Sequence, residues 1–173
     1  LKVMKALTAA GRALGYGAAS AIETGASADT LEVRRLGQAR AALLTPLVKA
    51  YCSELGVEVA SLGVQIHGGM GYVEETGAAQ YFRDARITPI YEGTNGIQAI
   101  DLALRKVRKD GGKTAWAEID RFKDMAVRGA AWPELANTAQ DLDAALAALT
   151  LATEGLLQSD QAETDILYVA TPY

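Results

Sequence analysis

The sequence predicts an all-α fold, an up-and-down helical bundle followed by a smaller, incomplete helical module. Three observations carry that expectation. Half of the 173 residues are hydrophobic and only four are proline, so a packed core can form around long unbroken elements. Alanine is abundant and runs of Val, Ile, Thr and Tyr are nearly absent, which favours helix over strand. Apolar residues then recur at three- and four-residue steps over long stretches, the spacing of one helix face.

Taken in order, Val3, Leu7, Ala10, Leu14, Ala18 and Ile22 mark a helix from about residue 2 to 24, with Gly25 as its stop. Gly11, Gly15 and Gly17 lie inside it, each at about 1 kcal/mol relative to Ala, which points to close approach of another helix. Residues 26 to 31 are small and polar and read as a loop. A second helix follows from about 31 to 44, after which Thr45 reads as an N-cap with Pro46 at the first helical position. Val48, Tyr51, Leu55, Val59, Leu62 and Ile66 continue as a stripe that Gly68-Gly69 ends, and a short helix is expected over 75 to 83. Thr94 caps the next helix, whose buried face is expected at Ile97, Ile100, Leu104 and Val107.

Gly111-Gly112 reads as a linker, so the bundle is expected over 1–110 and the additional module over 113–173. In that module residues 114 to 129 carry Ile119, Phe122 and Met125, and Pro133 opens a helix bearing Leu135, Leu142, Leu146, Leu149 and Leu156. Asp160 with Glu163 forms a capping box for a last helix through Ile166 and Leu167. Leu1 enters inside a helical pattern and Thr171-Pro172-Tyr173 follows no finished element, so a longer polypeptide is expected.

A net charge of −4 argues against nucleic acid, because phosphate binding calls for a basic patch. The single Cys52 cannot form an internal disulfide, which fits a reducing, cytoplasmic setting. No apolar run reaches the roughly 20 residues that a membrane span needs. With His67 the one histidine, a multi-histidine metal site is excluded, and no metal is expected.

The chemistry-bearing residues gather between Gln65 and Asn95. Glu92 sits in a turn after Ile87, Pro89, Ile90 and Tyr91; a carboxylate among apolar neighbours is costly to ionise and suited to act as a base. By itself it fits a solvated loop carboxylate better, since most loop Glu residues are merely solvated. The Gly68-Gly69-Met70-Gly71 run could present main-chain N–H groups to a phosphate, or simply end a helix. Thr94 and the amides behind it form a helix N-terminus open to an anion, or a plain cap. Arg83, Asp84 and Arg86 could bind an anion, but fit a surface ion-pair cluster better.

Together these residues are more specific than any one of them. Gln65-Ile66-His67-Gly68-Gly69-Met70-Gly71-Tyr72, then Arg83-Asp84-Ala85-Arg86, then Ile90-Tyr91-Glu92-Gly93-Thr94-Asn95 resembles the signature of the acyl-CoA dehydrogenases in order and spacing. The resemblance covers residues 1 to about 108, and the region after Gly112 is similar in layout to the additional module of longer members.

The resemblance implies an FAD enzyme in which Glu92 abstracts the α-proton of an acyl-CoA thioester while hydride passes to the flavin. It assigns Gln65, Ile66, His67, Gly68 and Gly69 to the FAD of a neighbouring subunit, and Thr94, Asn95 and Gly96 to a further flavin contact. Tyr91 and Gly93 would line the acyl thioester pocket. It further implies a homodimer or tetramer, electron-transferring flavoprotein as acceptor, and N-terminal and middle domains that are not in this sequence. The 173 residues alone are therefore expected to be inactive. A non-catalytic helical oligomerisation module and an acyl-CoA oxidase are the rival expectations.

Overall fold

The computed structural model describes residues 1–158 and Ala170. Among the described residues every regular element is helical, as composition and periodicity predict. The capping box at Asp160 and Glu163 and the helix through Ile166 and Leu167 lie outside the described residues. No helix among the described residues is long and apolar enough to cross a membrane. The chain divides into two units, Leu1–Ala99 and Ile100–Tyr173.

The first unit is built on a helical hairpin. Helix α1 (Lys2–Ser27) runs past Gly25 instead of stopping there. Gly25 is a contact point and not a stop: it is buried, with its main chain against Gly37 and Gln38 of helix α2 (Leu31–Ile66). Thr30 caps α2 by accepting the Val33 N–H at 3.3 Å, and the Arg34 guanidinium donates to the Ala28 carbonyl at 2.5 Å, which fixes the turn between the helices. At the far end Gly11 faces Cys52 and Leu55, so the two helices are antiparallel. Of the three glycines expected to permit close approach only Gly11 does so, since Gly15 has open space beside it and Gly17 meets Arg40 at an ordinary distance.

The break expected at Thr45-Pro46 does not occur. Helix α2 continues through, with Pro46 buried inside it. The Thr45 hydroxyl donates back to the Ala41 carbonyl at 2.7 Å rather than capping a new start. A mid-helix proline costs about 3 kcal/mol. Burial of Leu43 and Leu44 offsets this at about 1.5–3 kcal/mol each, so packing overrides the local signal.

The rest of this unit is short. Helix α3 (Gly69–Tyr72), a 3₁₀ turn (Glu74–Thr76) and helix α4 (Ala78–Arg86) follow α2, and α4 packs back on it. Helix α5 (Asn95–Ile100) starts at Thr94 as expected, with the Thr94 hydroxyl accepting from the Ile97 N–H at 3.3 Å.

In the second unit, Asp101–Arg108 is π-helical. Its wider turns move the buried face onto Leu102, Ala103 and Val107, so of the expected stripe only Val107 is fully buried. The Gly111-Gly112 linker is a tight stop: both glycines have left-handed φ, Gly112 N–H donates to Val107 O at 2.8 Å and Gly111 N–H to Arg108 O at 3.1 Å. Helix α6 (Lys113–Ala130) buries Ala115, Ile119 and Ala126. Pro133 opens a 3₁₀ turn (Pro133–Leu135) ahead of helix α7 (Ala136–Gln158), which buries Ala139, Leu146, Thr153 and Leu156. The expected Leu stripe is partly displaced, because small residues at Ala139 and Thr153 share the buried face while Leu135 stays exposed.

Candidate functional site

Glu92 lies on the turn between α4 and α5. The turn begins where Arg83 and Arg86, at the C-terminal end of α4, meet its negative dipole end. Ile90 and Tyr91 N–H groups both donate to the Ile87 carbonyl, at 2.9 and 3.1 Å, and the Asn95 N–H closes the loop on the Pro89 carbonyl at 3.0 Å. Within it Glu92 has φ 53° and Gly93 has φ 90°. Among the described residues Glu92 alone combines a side chain with a positive φ. That conformation costs about 1–2 kcal/mol for a residue with a Cβ and needs its surroundings to hold it.

Two hydroxyls and a carboxamide do so. The Thr88 hydroxyl donates to the Ala85 carbonyl at 2.7 Å and shares its proton weakly with the Ser53 carbonyl at 3.4 Å. The Asn95 carboxamide reaches Ala50 O, Ser53 Oγ and Glu54 Oε1 on α2, and accepts from Lys49 Nζ at 3.0 Å. The sequence marked neither Lys49, Ser53, Glu54 nor Thr88, because no local pattern announces a contact that spans some forty positions.

The Glu92 turn borders a hollow of about 390 Å³ whose lining includes Lys49, Cys52, Ser53, Thr88, Tyr91 and Glu92. Burial raises the Cys52 thiol above its ordinary value, so it is protonated at neutral pH. The apolar wrapping expected around Glu92 is not provided by its neighbours: Glu92 is exposed, and Ile87, Ile90 and Tyr91 are each about half exposed. A larger apolar groove of about 560 Å³ adjoins this hollow across Gly56 and Ala85, between α1, α2 and α4, with Met4, Val59, His67 and Tyr81 in its lining. It holds no carboxylate, whereas the smaller hollow is bordered by that of Glu92.

The second candidate segment caps α2. His67 Nδ1 meets the Gly63 carbonyl at 2.8 Å, and Gly68, at φ 62°, donates its N–H to Gln65 O at 3.1 Å. Gln65, Ile66, His67, Gly68 and Gly69 are all exposed, and nothing lies within 4 Å of where a Cβ on Gly68 or Gly69 would be. This is an open main-chain surface that a flat or anionic group can approach closely. Gly71 is the opposite case, since a Cβ there would collide with the Val64 carbonyl. Thr76 secures the turn by donating to Met70 O at 2.7 Å, and Arg83 closes a two-pronged ion pair on Glu74 at 2.5 and 2.9 Å. That pair, not an anion site, is where Arg83 goes; its hydrogen bond holds the Glu74 carboxyl below the ordinary range.

The two segments stand at different heights along α2. Ser53, which anchors the Glu92 turn, precedes Gln65 by twelve positions on α2. That separation is roughly 18 Å along a helix axis. Tyr91, Gly93, Thr94, Asn95 and Gly96 stay with Glu92, while Gln65 to Gly69 follow at the C-terminal end of α2. Among the described residues no group of three or more His, Cys, Asp or Glu is arranged to hold a metal.

Comparison with known proteins places this arrangement among relatives. The family model described as "Acyl-CoA dehydrogenase, C-terminal domain" matches residues 1–106. The 3-methylmercaptopropionyl-CoA dehydrogenase of Ruegeria pomeroyi is 57% identical over 127 residues, which is 70% of this chain and 20% of that protein. The butyryl-CoA dehydrogenase of Syntrophomonas wolfei is 35% identical over 125 residues, again 70% of this chain and 20% of that protein. The mitochondrial short-chain specific acyl-CoA dehydrogenase of Rattus norvegicus is 43% identical over 88 residues, 45% of this chain and 21% of that protein. The chain thus spans about a fifth of the length of these curated relatives.

Proposed function

Since the chain belongs to the acyl-CoA dehydrogenase family, we propose that it is the C-terminal part of a flavin-dependent enzyme dehydrogenating an acyl-CoA thioester between its α and β carbons. Glu92 is the base. The observation that carries this is its left-handed φ of 53° on a pinned turn beside a hollow. Strain held at one carboxylate-bearing residue is characteristic of functional turns.

The thioester carbonyl acidifies the adjacent C–H, and a Glu92 carboxylate oxygen takes that proton. Bound FAD supplies the hydride acceptor for the β-hydrogen. Tyr91, in the lining of the hollow, and Gly93, next to Glu92 in the turn, contact the thioester end of the substrate. The open glycine surface fits a flavin contact, so Gln65, Ile66, His67, Gly68 and Gly69 hold the FAD of a neighbouring subunit, and Thr94, Gly96 and the main chain of Asn95, whose side chain is turned to α2, make a further contact with the cofactor. Because Glu92 is exposed on this chain, the cover that excludes water from it comes from the rest of the protein. The 173 residues alone are therefore inactive, and the working form is a homodimer or tetramer passing electrons to electron-transferring flavoprotein.

The test uses the full-length protein purified with its flavin. Acyl-CoA thioesters are added without oxygen and the flavin absorbance is followed for wild type and Glu92→Gln. Bleaching of the wild type and not of the variant is expected. Equal bleaching of both removes Glu92 as the base, and no bleaching with any thioester removes the substrate class.

A further inference from the structure

We propose that Asn95 is a positioning residue for Glu92, clamping the turn that carries the carboxylate onto α2; this rests on the reading of Glu92 as the base. Two consecutive left-handed residues, Glu92 and Gly93, would relax into commoner conformations unless both ends of the turn were fixed. Both ends are fixed on the same residue. At the entry the Thr88 hydroxyl, which donates to Ala85 O at 2.7 Å, shares its proton weakly with the Ser53 carbonyl at 3.4 Å, and at the exit the Asn95 carboxamide oxygen and nitrogen lie 3.1 and 3.0 Å from Ser53 Oγ.

The exit clamp uses everything a carboxamide offers. Its nitrogen donates to Ala50 O at 3.2 Å and Glu54 Oε1 at 2.9 Å, while its oxygen accepts from Lys49 Nζ at 3.0 Å. A carboxylate at this position has no donor, and an alanine has neither donor nor acceptor. With its side chain committed to α2, Asn95 sets where the loop stands, and therefore where the carboxylate three residues earlier points. Abstraction of a proton from carbon tolerates little misplacement: about 1 Å costs on the order of a hundredfold in rate.

The test compares the full-length flavoprotein as wild type, Asn95→Ala, Glu92→Gln, Asn95→Asp and the double variant Asn95→Asp with Glu54→Gln. The readouts are the rate of anaerobic flavin bleaching by a thioester, the exchange of the substrate α-proton with solvent, the thioester dissociation constant and the flavin content. Asn95→Ala is expected to slow bleaching and exchange about a hundredfold, with dissociation constant and flavin content within about twofold of wild type. The double variant, which swaps donor and acceptor across the clamp, is expected to regain at least tenfold over Asn95→Asp; a merely structural role would not give this split or this rescue.

If Asn95→Ala bleaches at the wild-type rate while Glu92→Gln does not bleach, the clamp is overturned and the base stands. If Glu92→Gln itself bleaches at the wild-type rate, base and clamp fall together. Should Asn95→Ala not fold, the pair of aspartate variants decides, and equal rates for single and double overturn the proposal.

Discussion

Gly37 and Gly25 meet main chain to main chain: a Cβ added to Gly37 would stand 2.5 Å from the Gly25 nitrogen, closer than any real side chain comes. This contact sets the spacing of α1 and α2 at one end of their hairpin, as Gly11 against Leu55 does at the other. Between these ends α2 is carried unbroken past Pro46 to Ser53, the residue on which the Glu92 turn is pinned. The candidate base therefore depends on glycines far from it in sequence, through one rigid element.

Gly37→Ala is accordingly expected to destabilise the protein by about 1–3 kcal/mol, the usual cost of overpacking a fixed contact. Gly15→Ala is the control, since open space surrounds that position in the same hairpin. Replacing a helical glycine there is expected to be neutral or stabilising by up to about 1 kcal/mol. Denaturant midpoints measure both, and equal effects would remove the close-approach account.

Glu92→Gly separates function from stability. The left-handed φ of 53° costs a residue with a Cβ about 1–2 kcal/mol, which glycine does not incur, while its freer unfolded chain returns part of the difference. The variant is expected to unfold at the same or slightly higher denaturant concentration than wild type while losing thioester-dependent bleaching. A loss of more than about 1 kcal/mol would mean that the turn is not strained at this position.

The all-helical class was legible because its signal is repeated along the chain: apolar steps, scarce proline, abundant alanine. Local stops were less so. Thr45-Pro46 carries a correct start signal that the burial of Leu43, Leu44 and Pro46 overrides, and Gly25 resembles a terminator while serving as a spacer. The Thr94 cap was readable because a cap is decided within three residues. The Lys49, Ser53 and Asn95 cluster was not, since its partners lie more than forty positions apart and each residue type is unremarkable alone.

Acid should act on the Glu74 and Arg83 pair. The Arg83 hydrogen bond lowers the Glu74 carboxyl below its ordinary 4.5, so the paired form contributes to stability above that value and is lost as pH falls through the folded one. Melting temperatures of wild type and Glu74→Gln should therefore differ at neutral pH and converge well below pH 4.5. The gap should also narrow in high salt, because both partners are exposed. A gap that persists unchanged in acid would show that Glu74 acts through something other than its charge.

Around the glycine turn that ends α2, Ile66, Met70, Tyr72 and Tyr81 are all at least half exposed. Apolar side chains gathered beside an open main-chain surface are what a face covered by a partner or a ligand would show. If a neighbouring subunit's flavin sits there, assembly and flavin retention must fail together. Tyr72→Asp and Ile66→Asp in the full-length protein are expected to shift sedimentation toward smaller species and to release flavin on gel filtration in the same proportion. Glu92→Gln should change neither measurement. A monomer that keeps all of its flavin would break the link between the two, and Gln65 to Gly69 would then serve the cofactor of their own chain or none.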